Sequence, residues 1–236
     1  FVSEVSEKPN YIYPENIERQ QITMGASSYL KIAEGCSYRC GYCIIPYLRG
    51  DYHSRTIENI VAEAKKLVKK GVTEIILIAQ DTTSYGIDIY KKPSLPKLLE
   101  ELNKIEGLGW IRFMYAYPTH LDDELLDSVS KLDKVVKYVD IPLQHSHPEV
   151  LKLMNRPAFD YRPMIENIRK RIPDVSIRTA FIRVEPSSMP RMALPVSMVD
   201  FASNFMLETD ILRYNNKCGE QKLSLLSKGG SVFNSG

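Results

Sequence analysis

The sequence predicts an α/β fold built on a parallel sheet, and three observations carry that prediction. Short apolar runs alternate along the chain with segments whose apolar residues recur at helical spacing. One run, Ile75-Ile76-Leu77-Ile78-Ala79, is apolar throughout, as a strand covered on both faces must be. The chain of 236 residues is 44% hydrophobic and 25% charged, the composition of a globular domain with a sizeable core. Strands alternating with helices of this length make βαβ units, whose sheet is either open or curled into a barrel. Ligands then gather at the C-terminal ends of the strands.

Residues 1–28 are polar, are interrupted by Pro9 and Pro14, and hold neither periodicity for long, so they read as a linker or peripheral segment. A first strand is expected from Tyr29 to Ala33, ending at Glu34-Gly35 directly before a cysteine. Ile57, Ile60, Val61, Ala64, Leu67 and Val68 fall on one helical face; Lys65, Lys66, Lys69 and Lys70 crowd the last turns, and Gly71 stops the helix. After the second strand, Leu95, Leu98, Leu99, Leu102 and Ile105 mark another helix. Trp110 to Tyr115 follows as a strand, Leu125, Leu126, Val129 and Leu132 as a helix, and Tyr138 to Ile141 as the fourth strand. Pro148 to Met154 is a short helix; Met164, Ile165, Ile168 and Ile172 line another; Val175 to Ile182 is the fifth strand. Beyond it Glu185-Pro-Ser-Ser-Met-Pro-Arg breaks the rhythm, so the core is 29–182 and residues 183–236 stay unassigned.

Lysine and arginine number 31 against 29 acidic residues, a net charge of +2 that makes no footprint for nucleic acid or a membrane. No apolar run approaches the ~18 residues of a membrane span, and Phe1 to Asn10 lacks the pattern of a secretory signal, so a cytoplasmic protein is expected. Cys36, Cys40 and Cys43 fall within eight residues while Cys218 stands apart, which is no disulfide framework. Three thiolates can hold three corners of a 4Fe-4S cube and leave one iron open to a non-protein ligand, where an electron-transfer cluster usually has four cysteines. The competing reading is a structural zinc held by these cysteines with His53, a non-catalytic module; the absent second C-x-x-C pair weighs against it.

The C-x-x-x-C-x-x-C loop after a first strand, with Tyr42 before the third cysteine, resembles that of the radical S-adenosylmethionine enzymes. The resemblance implies a partial (β/α)6 TIM-like barrel, one 4Fe-4S cluster, and S-adenosylmethionine whose sulfonium is reductively cleaved to a 5′-deoxyadenosyl radical. Tyr29-Leu-Lys-Ile-Ala-Glu-Gly-Cys36, Cys43-Ile-Ile-Pro-Tyr-Leu-Arg-Gly50 and Ser54-Arg55 are similar to the methylthiotransferase branch. Ile78-Ala-Gln-Asp-Thr-Thr-Ser-Tyr-Gly86 and Tyr138-Val-Asp-Ile-Pro-Leu-Gln-His145 resemble its RimO type, a transferase that puts a methylthio group on an aspartate β-carbon of protein twelve of the small ribosomal subunit. A tRNA methylthiotransferase core is the alternative within the branch. The implied partners are that ribosomal protein and an external electron donor, with neither membrane nor nucleic acid.

On this resemblance Cys36, Cys40 and Cys43 are the cluster ligands and the Tyr42 backbone lies against the adenine. Gln80 and Asp81 fall where the family binds the methionine amino group, Gln144 and His145 approach the ribose, and Arg156 and Arg178 are candidates for the methionine carboxylate. Plainer roles compete: Gln80-Asp81 as a turn cap, His120 and His147 as residues opening helices, His53 as a surface histidine, Cys218 as a packed thiol, and Lys65 to Lys70 as a solvated helix end. The chain departs from the branch in three respects. No cysteine for a second cluster precedes Cys36, no β-barrel pattern follows Ile182, and Arg183-Val-Glu-Pro-Ser-Ser-Met replaces the family's Gly-Phe-Pro-Gly-Glu-Thr stretch, leaving the sixth βα unit unrecognisable. Full methylthiolation by this chain alone is not expected.

Overall fold

The computed structural model describes residues 25–182. Most of the 1–28 segment, the 183–236 segment, the sixth βα unit and Cys218 therefore lie outside the described residues. The first half of the described chain runs β1 (Ser27–Lys31), β2 (Ala33–Glu34), α1 (Ile45–Arg49), β3 (His53–Ser54), α2 (Ile57–Lys69), β4 (Glu74–Ile78), α3 (Ile87–Tyr90), α4 (Leu95–Asn103) and β5 (Trp110–Phe113). A 3-10 turn, Pro118–His120, leads into α5 (Asp123–Lys131), β6 (Tyr138–Asp140), α6 (Pro148–Leu153), α7 (Arg162–Arg171) and β7 (Ser176–Arg178).

β1, β4 and β5 form a parallel sheet in that order, with Tyr29 opposite Ile76 and Ile76 opposite Arg112. β6 and β7 pair in parallel, Val139 opposite Ile177. Backbone bonds from Ile111 N to Lys134 O (2.8 Å) and from Ala116 N to Asp140 O (2.8 Å) carry the sheet on from β5 to β6. The result is an α/β sheet of the expected partial-barrel kind, which the described residues do not close. Its core joins the inward faces of the strands, Leu30, Ile75, Leu77, Ile111, Phe113 and Val139, to the apolar faces of the helices. In α4 alone Leu95, Leu98, Leu99 and Leu102 are wholly buried. Two helices start on side-chain caps, Thr56 accepting from Asn59 N and Asp122 from Leu125 N.

The strand edges differ from expectation in ways that shape the site. β1 starts at Ser27, two residues before the expected Tyr29, and it ends at Lys31, with Ile32 alone between it and β2. Ala33 and Glu34 then pair antiparallel with Ser54 and His53. That two-residue ladder draws together the ends of the segment carrying the cysteines, and no period-2 pattern announces it. The fifth strand, expected over 175–182, narrows to Ser176–Arg178 with one further bridge between Gln144 and Phe181. Among the described residues no helix is long and apolar enough to cross a membrane.

Candidate metal and cofactor site

The cysteine loop is tied down at three points. Cys36 N donates to Gly50 O (3.1 Å), Gly41 N to Met154 O (3.0 Å), and the Asn155 side chain to Arg39 O (2.8 Å). Gly35 has a φ of +78°, and a Cβ there would overlap the Asp51 carbonyl oxygen and stand 2.7 Å from that of Gly50. Only glycine closes this neck without strain. Cys40 and Cys43 are then joined by a turn, Cys43 N donating to Cys40 O at 3.0 Å. All three thiols are free and partly exposed. Burial pushes the Cys36 thiol up to about 11, and the nearby Cys40, Asp81 and Cys43 add to the rise.

Residues from the other strand ends meet this loop. Tyr38, between the first two cysteines, stacks on Tyr117 with ring centres 3.9 Å apart and planes 8° apart. The Arg156 guanidinium lies 4.6 Å from the centre of the Tyr117 ring, making a stack of cation, ring and ring. Arg156 also donates to Pro142 O (2.9 Å) and reaches to 3.9 Å from Cys40 Sγ. Burial opposes its charge, yet Tyr42, Tyr117 and Cys40 together hold its acidity below that of a free guanidinium. The Tyr42 phenol, half-buried beside Arg156 and Cys40, is raised by burial. Tyr38 OH lies 3.2 Å from Ser84 Oγ and 3.1 Å from His120 Nδ1, and Ser84 Oγ lies 3.1 Å from the same nitrogen.

Of the residues singled out in the sequence, Cys36, Cys40, Cys43, Tyr42 and Arg156 come together. Gln80 follows β4 and donates through Nε2 to Glu34 Oε1 (3.0 Å), beside the loop's neck. Gln144 and His145 follow β6; Gln144 has a φ of +71° and its N donates to Ala180 O (2.9 Å), while His145 Nδ1 accepts from His147 N (2.9 Å). Burial and His147 lower the His145 imidazole. Two of the expected cofactor residues are held by partners of the chain's own. Asp81 accepts from Thr83 N (2.8 Å), Thr83 Oγ1 (2.6 Å) and Ser84 Oγ (2.5 Å), the turn-capping role weighed for it in the sequence. Arg178 pairs with Asp140 (3.3 Å), whose carboxyl burial raises against the opposing pull of Arg178.

Sequence reasoning missed four members of the site: Glu34, Tyr38, Ser84 and Tyr117. It also read His120 as a residue opening a helix, whereas it ends the 3-10 turn with its ring 3.7 Å from Asp81 Oδ2 and against Tyr38. A signal was present, because Tyr117 and His120 follow β5 at its C-terminal end, where ligands gather in this class of fold.

His53, the fourth ligand of the zinc reading, is engaged by the chain's own backbone. His53 turns Nδ1 to the carbonyl of Asp51 (2.5 Å), and among the described residues no three His, Cys, Asp or Glu side chains converge on a point that one ion could occupy. The only buried side-chain atoms without a hydrogen-bond partner, among the described residues, are Gln80 Oε1 and Arg156 Nε. One is an acceptor and the other a cationic donor, the complement of an α-amino acid's ammonium and carboxylate.

A parallel α/β sheet with a three-cysteine loop at its strand ends defines a class, and residues 30–193 match the Radical SAM superfamily. The chain belongs to that superfamily. It is 54% identical over 183 residues to the ribosomal protein uS12 methylthiotransferase RimO of Gloeobacter violaceus, a match covering 77% of this chain and 42% of the relative. It is likewise 54% identical over 176 residues to the enzyme of the same name from a Thermoanaerobacter species, covering 73% of this chain and 40% of that one. The chain thus spans about two fifths of the length of these relatives. Among solved structures, the radical S-adenosylmethionine methyltransferase TsrM of Kitasatospora setae, with tryptophan and an S-adenosylmethionine analogue bound, superposes with a TM-score of 0.54 at 18% identity. That likeness covers 75% of this chain and 34% of TsrM, and concerns the fold.

Proposed function

We propose that this chain is the radical-forming core of a uS12 methylthiotransferase, a cytoplasmic enzyme modifying an aspartate of that small-subunit ribosomal protein. The observation that carries the reading is 54% identity to uS12 methylthiotransferases over about three quarters of the chain, beside a Radical SAM match over 30–193 that includes the cysteine loop. Cys36, Cys40 and Cys43 would hold one 4Fe-4S cluster, with an external donor supplying its electron. When bound, the cluster supplies one-electron reduction of the S-adenosylmethionine sulfonium.

The chain's own residues bind and orient the cofactor. Gln80 Oε1 offers a buried acceptor to the methionine ammonium, and Arg156 Nε offers a charged donor to its carboxylate. The Tyr42 backbone takes the adenine, and Gln144 and His145 line the ribose side. Asp81 serves in this reading by holding Ser84 and, through it, His120 and Tyr38 in place. The Tyr38–Tyr117–Arg156 stack holds the Arg156 guanidinium beside Cys40 and fixes the first half of the loop to the rim. The relatives that share half of the sequence are uS12 methylthiotransferases, which favours the protein substrate over the tRNA and zinc-module readings.

Anaerobic reconstitution with iron and sulfide tests the reading. About four irons per chain are expected, with the spectrum of the reduced protein changed by S-adenosylmethionine and with 5′-deoxyadenosine formed. Zinc in place of iron, or a cluster indifferent to the cofactor, overturns it.

A further inference from the structure

Glu34 closes β2 just before the cysteine loop, and its carboxylate is buried. Lys31 Nζ bonds to Oε2, while Oε1 accepts from Gln80 Nε2 at 3.0 Å and lies 3.9 Å from Arg49 Nε.

The Glu34 carboxylate, paired with Lys31 and facing Arg49, only accepts hydrogen bonds. It therefore admits the NH2 end of the Gln80 amide and repels the carbonyl end, which settles an orientation that the shape of an amide leaves open. The consequence falls on the far end of the amide, where Oε1 is buried and has no partner among the described residues. With a neutral residue at position 34 the amide could turn over and offer a donor there instead. Resting on the proposed binding of S-adenosylmethionine, we infer that Glu34 is a positioning residue. It locks the Gln80 amide with its carbonyl oxygen free, so that the site selects the ligand's ammonium group and rejects an analogue without an N–H donor.

The test measures binding of S-adenosylhomocysteine, and of its analogue lacking the amino group, to the iron-reconstituted chain by calorimetry. Glu34→Gln is expected to weaken S-adenosylhomocysteine about tenfold, the scale of one hydrogen bond to a charged group, while leaving the analogue's affinity and the iron content unchanged. The exchanged pair Glu34→Gln with Gln80→Glu, in which donor and acceptor trade places, should recover the lost affinity. An unchanged affinity in Glu34→Gln, an equal loss for both ligands, lost iron, or no recovery in the exchanged pair overturns the positioning role and leaves the cofactor reading standing. Failure of the unaltered, iron-loaded chain to bind S-adenosylhomocysteine overturns both.

Discussion

Arg156 shows how one side chain takes its role from its surroundings. Its guanidinium is stacked on Tyr117, bonded to Pro142 O and close to Cys40 Sγ, yet Nε, though buried, has no partner among the described residues. A lysine would keep the charge but lose the planar fork that makes these contacts together. Both Arg156→Lys and Arg156→Leu are therefore expected to weaken S-adenosylhomocysteine about 10- to 100-fold in calorimetry, the scale of ~1.5–3 kcal/mol for a charged hydrogen bond, at unchanged iron content. Asp81 makes a prediction in pH instead. Burial works against its charge, but hydrogen bonds from His120, Ser84 and Thr83 win, and its carboxyl lies below the ordinary 3.8. Below that ordinary value the unfolded chain binds more protons than the folded one, so this contribution is complete above it and is lost as pH falls through the folded value. Urea unfolding below about pH 4 should show stability falling less steeply in Asp81→Asn than in the unaltered chain; equal slopes would remove Asp81 from the acid response.

Among the elements, the smallest does most to shape the site. β2 and β3 contribute two residues each, and their ladder holds Gly35 against Asp51 and Gly50. Gly35→Ala puts a side chain in a left-handed conformation that costs roughly 1–2 kcal/mol and also drives it into backbone that cannot give way. Iron loading should fall well below that of the unaltered chain. Gly71, at a φ of +94° with open space around it, is the control: its alanine variant should load fully and lose roughly 1–2 kcal/mol of stability in urea. This contrast also marks what was legible in the sequence. α2 and α4 declared themselves because their buried leucines and isoleucines repeat with the helix and they bury one continuous face. The β2–β3 pair, α1 and α3 are too short to show a period, and they form because tertiary contacts hold them: Ser54 Oγ donates to Asp88 Oδ1 (2.6 Å), tying β3 to α3. The three cysteines were legible as a motif, whereas Tyr117 and His120 reach Tyr38 only after some eighty residues of fold have returned the chain to the same rim.

At the scale of the whole molecule, the site is a joint between distant pieces of chain. The loop after β2 brings Cys36, Tyr38, Cys40 and Cys43, the end of β4 brings Gln80, the turn after β5 brings Tyr117 and His120, and the end of α6 leads to Arg156. Tyr38 on Tyr117 and Arg156 on Tyr117 bind three of these pieces to each other. A ligand seated among them binds only when all are in place, so its free energy adds to the stability of the entire sheet. At a concentration one hundred times its dissociation constant, S-adenosylhomocysteine should add about 2.7 kcal/mol to the iron-loaded chain. For a domain of this size each kcal/mol moves the midpoint by ~2–4 °C, so thermal unfolding should shift upward by roughly 5–11 °C. The variant in which Cys36, Cys40 and Cys43 are all serine should lose most of that shift, because the loop that orders Tyr38 and Arg156 then lacks its inorganic anchor. An equal shift in that variant would mean that the ligand recognises the protein rim alone, and would separate cofactor binding from the cysteines.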